Sequence, residues 1–318
     1  MGYLFLALSV FMGSTKGFCG KKTSVYANNT TLSLFISTIR MLFCIVIGFA
    51  VVVILQGSIS SFALDTTTFI ISLVSGLATS VFVVSWLLAV RTGAYMMLDV
   101  FLTLGTLVPL LLSAFLFGEN IVWLKWVGLA LLISASFIMF SYNKSIKSKL
   151  NVKGVILLII SCLSNGVTQF AQKWFNVEMA ERALSGGLIM DATAYNFYTY
   201  VFSFASILLC LFAIKLFAKK GEGENQVQEN GYVQVFKKVW IYVLIMAFCL
   251  FMHTYFATLS ANYLPSSEVF PLQRGASLIL SLFMSAVFFK EKVTSKCMIG
   301  VVITFIGLLL INVFAPMI

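Results

Sequence analysis

Apolar runs of similar length follow one another along the chain, broken only by short clusters of charged residues, Gly, Pro and Asn. A helix needs about 20 apolar residues to cross the hydrocarbon core of a bilayer. Runs that meet this fall at 2–20, 30–55, 67–90, 94–117, 121–141, 153–177, 192–217, 238–261, 265–289 and 295–315, so the pattern predicts ten transmembrane helices. The connections Arg91-Thr-Gly93 and Asn262-Tyr-Leu-Pro265 are so short that helices 3 and 4, and helices 8 and 9, must be antiparallel neighbours. The longest polar interruption, from Lys219 through Gly221-Glu-Gly-Glu-Asn-Gln to Lys238, reads as a solvated loop. The segment opening at Met1 lacks a basic region and a small-residue cleavage site, so it reads as a retained helix and not a signal peptide.

Composition agrees with this pattern. At 60% hydrophobic and 10% charged, 318 residues carry too little polar surface to cover a water-soluble globule, which excludes large soluble domains. The net charge of +10 follows membrane topology and not nucleic acid: fifteen of the 21 Lys and Arg lie in or beside the odd-numbered loops, and three (Lys125, Lys173, Arg182) lie beside the even ones. Positive residues stay on the cytoplasmic side, so the odd loops are expected inside and both termini outside. Six cysteines sit singly in apolar runs with no CxxC spacing, which supports neither a disulfide framework nor a tetrahedral metal site.

The chain repeats itself. Phe117 through Gly128 recurs 172 positions later as Phe289 through Gly300, with Glu119 matching Glu291 and Gly128 matching Gly300. A weaker echo sets Gly2, Ser9, Gly13 and Lys21 against Gly154, Ser161, Asn165 and Lys173 at an offset of 152. Two halves of five helices follow. Because five is odd, the second half must enter the membrane in the opposite sense, the inverted-repeat plan of secondary transporters. The fold class expected is therefore all-α integral membrane, with ten transmembrane helices in two inverted five-helix repeats.

Each half closes on a Gly/Phe-rich helix end carrying Glu, a short polar link, and Gly inside the last helix: Phe117-Gly-Glu119 to Gly128, and Phe289-Lys-Glu291 to Gly300 and Gly307. In these motifs, and in Arg40 of Ile39-Arg-Met41, the chain resembles the drug/metabolite transporter superfamily in its ten-helix EamA-like branch. The resemblance covers nearly the whole chain. It implies one EamA-like repeat at 1–145, a second at 150–318, and a transporter with helices 1, 3, 4, 6, 8 and 9 around a central cavity. Members of that family usually keep both termini in the cytoplasm, the reverse of what the Lys distribution here predicts.

Charges inside spans cost roughly 2.5–3.5 kcal/mol each near a helix centre, so Lys16, Arg40, Asp99, Glu268 and Arg274 must face partners or water. Tyr95, Asp99, Thr103 and Thr106 share one face of helix 4, and Arg274, Ser277, Ser281 and Ser285 share one face of helix 9. Further polar stripes are Ser161, Asn165 or Ser164, Thr168 and Gln172 with Gln169 at its flank in helix 6, and Ser9, Gly13, Lys16 and Gly20 in helix 1. Helix 3 offers Ser72, Ser75, Thr79 and Trp86, and helix 8 offers His253, Tyr255 and Asn262. The substrate-binding set expected from these is Lys16, Trp86, Tyr95, Asp99, Asn165, Gln169, Tyr255 and Arg274. In it Arg274 and Lys16 attract a carboxylate or phosphate, Asp99 attracts an amine or proton, and the aromatic rings stack on the rest. Asp99 and Glu268 are the candidates for a coupling proton. Arg40 reads as neutralising a carboxylate or helix end, Glu119 and Glu291 as loop or capping groups, and His253 as a hydrogen-bonded packing residue.

No ATP-binding motif, HExxH or GxSxG occurs, so no cofactor, metal or catalytic residue is expected. An intramembrane enzyme and a non-transporting scaffold or channel are the weaker alternatives. The partners expected are a small-molecule substrate and the lipid bilayer, with a homodimer left open and no nucleic acid. The location expected is the plasma membrane, crossed many times.

Overall fold

Helix forms in every apolar run that the computed structural model describes, which covers residues 1–24, 26, 30–57, 62–91, 101–141, 152–217, 229–289 and 295–311. Among these residues there are ten helices and no strand: α1 (Gly2–Ser24), α2 (Thr30–Gln56), α3 (Thr66–Arg91), α4 (Leu107–Phe117), α5 (Trp123–Ser141), α6 (Val152–Ser185), α7 (Ala192–Phe217), α8 (Glu229–Tyr263), α9 (Ser266–Phe289) and α10 (Ser295–Leu309). Helix is what lipid demands, because every backbone N–H and C=O must be satisfied inside the segment. Gly118, at φ +65°, adopts the left-handed conformation that ends α4 and returns its N–H to the Ser113 carbonyl.

The polarity of the bundle is inverted relative to a water-soluble protein. Phe11, Val46, Phe49, Ile54, Phe115, Leu209, Phe212 and Phe305 are exposed, whereas Ser9, Ser37, Arg40, Gln169, Gln172, Asn176 and Gln273 are buried. Such an apolar exterior needs a hydrocarbon solvent. Among the described residues five helices are long and apolar enough to cross a membrane on length and composition alone: Thr30–Gln56, Thr66–Ala89, Gly154–Ser185, Ala192–Ala213 and Gln234–Tyr263.

Packing is intimate between particular pairs: α1 with α8, α3 with α6, α2 with α7, α3 with α7, α2 with α8, α5 with α10, α1 with α9 and α4 with α6. Small residues set two of these crossings. A Cβ on Gly128 of α5 would lie 2.8 Å from the Gly307 carbonyl of α10, and a Cβ on Gly307 would lie 2.9 Å from the Gly128 carbonyl. In α1, a Cβ on Gly13 would come within 2.9 Å of His253 Nδ1 on α8. Only glycine permits approach this close.

Three expected boundaries move. Helix 6 was expected to end at 177 but continues to Ser185, because Arg182 bonds Glu178 one turn back at 2.8 Å and Asp65 across the bundle end at 2.6 Å. The polar stretch from Lys219 to Lys238 is helical from Glu229 onward, since Tyr232 and Val235 pack on the apolar core around Trp86 and the Tyr232 ring sits 5.1 Å from Phe35. Helix 4 is interrupted at Gly105 and Thr106, where Gly105 presses against the Cys162 carbonyl of α6.

Candidate functional site

The polar side chains buried between α1, α6, α8 and α9 form one connected belt. Ser9 Oγ on α1 donates to the His253 carbonyl on α8 at 2.9 Å, and His253 Nδ1 lies 2.8 Å from the Ser9 carbonyl. Gln273 Nε2 on α9 donates to Ser9 Oγ at 2.8 Å, and Gln169 Nε2 on α6 donates to Gln273 Oε1 at 3.3 Å. One turn further along, Arg274 Nη2 donates to Asn165 Oδ1 at 2.5 Å, joining α9 to α6 by a charge-assisted bond. Asn165 and Gln169 are 6% and 4% exposed, yet among the described residues Asn165 Nδ2 and Gln169 Oε1 have no hydrogen-bond partner. Buried polar groups are ordinarily satisfied, so these two amides hold spare donor and acceptor capacity inside the bundle.

Beside this belt lies a cationic pocket. Lys16, Arg40, Phe82, Val83, Trp86 and Leu250 line a cavity of about 10 Å³, room for roughly one water. The Lys16 ammonium stands 6.0 Å from the Phe82 ring centroid. Arg40 and Arg274 are its cationic neighbours. Trp86 enters the pocket past Gly20, where a Cβ would lie 2.2 Å from the indole Cη2. Glycine at 20 is therefore part of how α1 accommodates the ring.

The structure thus brings together Lys16, Trp86, Asn165, Gln169 and Arg274. It places Tyr255 elsewhere, in the apolar clusters around Tyr200 and Phe175, where its ring lies 5.5 Å from Phe256. Glu268 lies at the N-terminal end of α9, with Oε1 2.8 Å from Lys125 Nζ and Oε2 accepting from Tyr3 at 3.2 Å. Tyr95 and Asp99 fall outside the described residues, as does Glu291. Of the remaining helix 4 stripe, Thr103 accepts from Ser136 of α5 at 3.4 Å and Thr106 donates to the Thr103 carbonyl at 2.7 Å. Arg40 pairs with no carboxylate among the described residues. Two partners escaped the sequence reading: Gln273, adjacent to the more conspicuous Arg274, and Arg40 as a pocket residue.

One end of the bundle is laced by ion pairs. Glu119 accepts from Lys173 at 2.8 Å and caps α9 by accepting from Ser266 N at 3.2 Å. Asp65, between α2 and α3, accepts from Arg182 and Thr68 and from Thr67 N, and the Arg182 guanidinium holds its carboxyl well below the usual carboxylate range. At the same end Gln56, Asn176, Asp191 and Asn262 stand on a cavity of about 360 Å³ between α2, α6, α7 and α8. Among the described residues no cluster of His, Cys, Asp and Glu could hold a metal ion, and Cys19, Cys44, Cys162, Cys210 and Cys249 are free thiols.

An all-helical bundle with an apolar exterior and a buried polar belt defines a multi-pass integral membrane protein. The sequence model of the EamA-like transporter family, part of the drug/metabolite transporter superfamily, matches residues 152–313, and the chain belongs to that family. No curated protein matches it significantly. Among solved structures 28 chains match. One, described as a crystal structure of a protein, superposes with a TM-score of 0.70 at 14% identity over 99% of this chain and 98% of its own, a likeness of fold.

Proposed function

We propose that the protein is a secondary carrier that moves a small polar or zwitterionic metabolite by alternating access, without ATP, between two five-helix halves at 1–145 and 150–318 inserted in opposite senses. The observation that carries this reading is a regularity in the packing. Exchanging α1 with α6, α2 with α7, α3 with α8, α4 with α9 and α5 with α10 carries the eight most extensive helix pairs onto one another. The α1–α8 pair becomes α6–α3, α3–α7 becomes α8–α2, α1–α9 becomes α6–α4, and α2–α7 and α5–α10 map onto themselves. The echoed serines follow the exchange: Ser9 bonds the His253 carbonyl on α8, and Ser161 bonds Ser85 on α3 at 2.8 Å. A pseudo-two-fold axis in the membrane plane produces such a pattern, and it lets a midplane site face either side when one half rocks against the other.

The polar belt and Lys16 are the solute-contacting groups in this reading. Asp99 is preferred for proton coupling, because the Glu268 carboxylate is engaged by Lys125 and Tyr3. Proteoliposomes loaded with a mixture of small metabolites test the proposal. The expected result is solute exchange without nucleotide and labelling of Asn165→Cys, in a background free of the native cysteines, from either side but never both at once. A folded protein that exchanges no solute, or labelling from both sides simultaneously, excludes the carrier.

A further inference from the structure

We infer that the solute is an oxyanion, a carboxylate or phosphate borne on a flat apolar group, received by Arg40 and Lys16 between α1, α2 and α3; this deepens the carrier reading above and rests on it. Arg40 is 2% exposed, and its hydrogen bond within the protein is from Nη1 to the Met246 thioether at 3.4 Å. A thioether is a weak acceptor. Among the described residues, Nε and Nη2 have no hydrogen-bond partner. Those two nitrogens form the side-on edge of the guanidinium, the pair of parallel N–H groups that meets both oxygens of a carboxylate or phosphate at once. An uncompensated buried charge is strongly destabilising, so its retention at the wall of a pocket points to an anion that arrives there.

The surroundings agree. Lys16 shares the pocket, and its charged neighbours among the described residues are Arg40 and Arg274, all of one sign. Besides Lys16, the titratable neighbours of Arg40 among the described residues are the thiol of Cys44 and the phenol of Tyr200, neither a carboxylate. Phe82 and Trp86 complete the wall with apolar faces suited to a flat group. At about 10 Å³ the pocket is too small for an oxyanion on a flat group, so one enters only when the helices around it separate.

The full chain in phosphatidylcholine nanodiscs, whose zwitterionic headgroups carry no net charge, is titrated with benzoate, phenyl phosphate, benzamide and benzylammonium at fixed ionic strength and followed by thermal unfolding. Benzoate or phenyl phosphate raises the midpoint saturably, the more potent one separating carboxylate from phosphate, while benzamide and benzylammonium leave it unchanged. Arg40→Gln and Lys16→Gln each weaken that response by about tenfold or more, and Lys16→Gln carries the test where Arg40→Gln does not fold. No saturable response to either oxyanion, an equal response to benzamide, or an undiminished response in Lys16→Gln overturns the inference. Solute exchange in proteoliposomes separates the two readings. Exchange of neutral or cationic solutes undiminished in Lys16→Gln leaves the carrier standing and removes the anion, whereas saturable oxyanion binding without exchange removes the carrier alone.

Discussion

Lys125 of α5 and Glu268 of α9 form a buried ion pair, with Nζ 2.8 Å from Oε1, and Lys125 also donates to Ser267 Oγ at 3.1 Å. Burying both charges is costly, but leaving one alone is costlier, about 3–5 kcal/mol for removal of a single partner. Glu268→Leu and Lys125→Met should each lower the unfolding midpoint in detergent markedly, and the double variant Lys125→Met/Glu268→Leu should recover most of the loss. A double-mutant cycle showing additive losses would remove the pair as a stabilising element.

The Asp65–Arg182 contact predicts a pH dependence. The Asp65 pKa is depressed in the folded protein by the Arg182 hydrogen bond. Its contribution is therefore fully present above the unfolded carboxylate value of about 3.9 and is lost as pH falls below that toward the folded pKa. The wild type should be more stable than Asp65→Asn at neutral pH, and the gap should close as the medium is acidified below pH ~4. The carboxylate is partly open to solvent, so added salt should shrink the gap as well. Unfolding midpoints of both proteins across pH and salt check this, and a gap that widens on acidification contradicts it.

The spans were legible because lipid imposes one simple rule, a run of apolar residues long enough to cross. The ends were not. Nothing in the composition of Glu229-Asn-Gly-Tyr-Val-Gln-Val-Phe distinguishes a solvated loop from a helix that docks Tyr232 on Phe35, and the contact decides it. Arg182 likewise extends α6 only because Asp65 and Glu178 await it in space. At the candidate site Lys16, Trp86, Asn165 and Arg274 were readable as polar or bulky residues out of place in lipid. The significance of Arg40 was not, because an intramembrane arginine looks the same in sequence whether it meets a carboxylate or leaves its Nε and Nη2 edge unbonded. Gln273 left a still fainter signal, being neutral and next to Arg274.

Proton coupling gives a third prediction. Asp99, whose spacing to Thr103 and Thr106 predicts a shared polar face, carries the proton coupling proposed above, and Asp99→Asn keeps the shape while removing the titration. Uptake into proteoliposomes driven by an imposed pH gradient should fall to the gradient-free level in Asp99→Asn, while exchange between equal pH values persists. Gradient-driven uptake undiminished in Asp99→Asn rules Asp99 out as the proton carrier.

Gly20 and Trp86 allow the pocket to be altered without touching a charge. Adding one methyl at Gly20 places it 2.2 Å from Trp86 Cη2 and 2.7 Å from Cζ3, and nothing this close is tolerated, so the indole must move. Phe82 and Leu250 stand on the pocket with it, and the cavity is about 10 Å³, so a displaced ring has little room within it. Overpacking of this kind costs about 1–3 kcal/mol. Gly20→Ala should therefore lower both the unfolding midpoint and the transport rate. Trp86→Phe shortens the ring and restores the space, so Gly20→Ala/Trp86→Phe should be more stable than Gly20→Ala, with a coupling of about 1 kcal/mol or more between the two sites. Coupling near zero would mean that α1 moves away from α3 to absorb the methyl and that the contact does not shape the pocket. The same double variant, with its pocket reopened but its aromatic face reduced, should transport with a raised KM and a maximal rate close to that of the wild type.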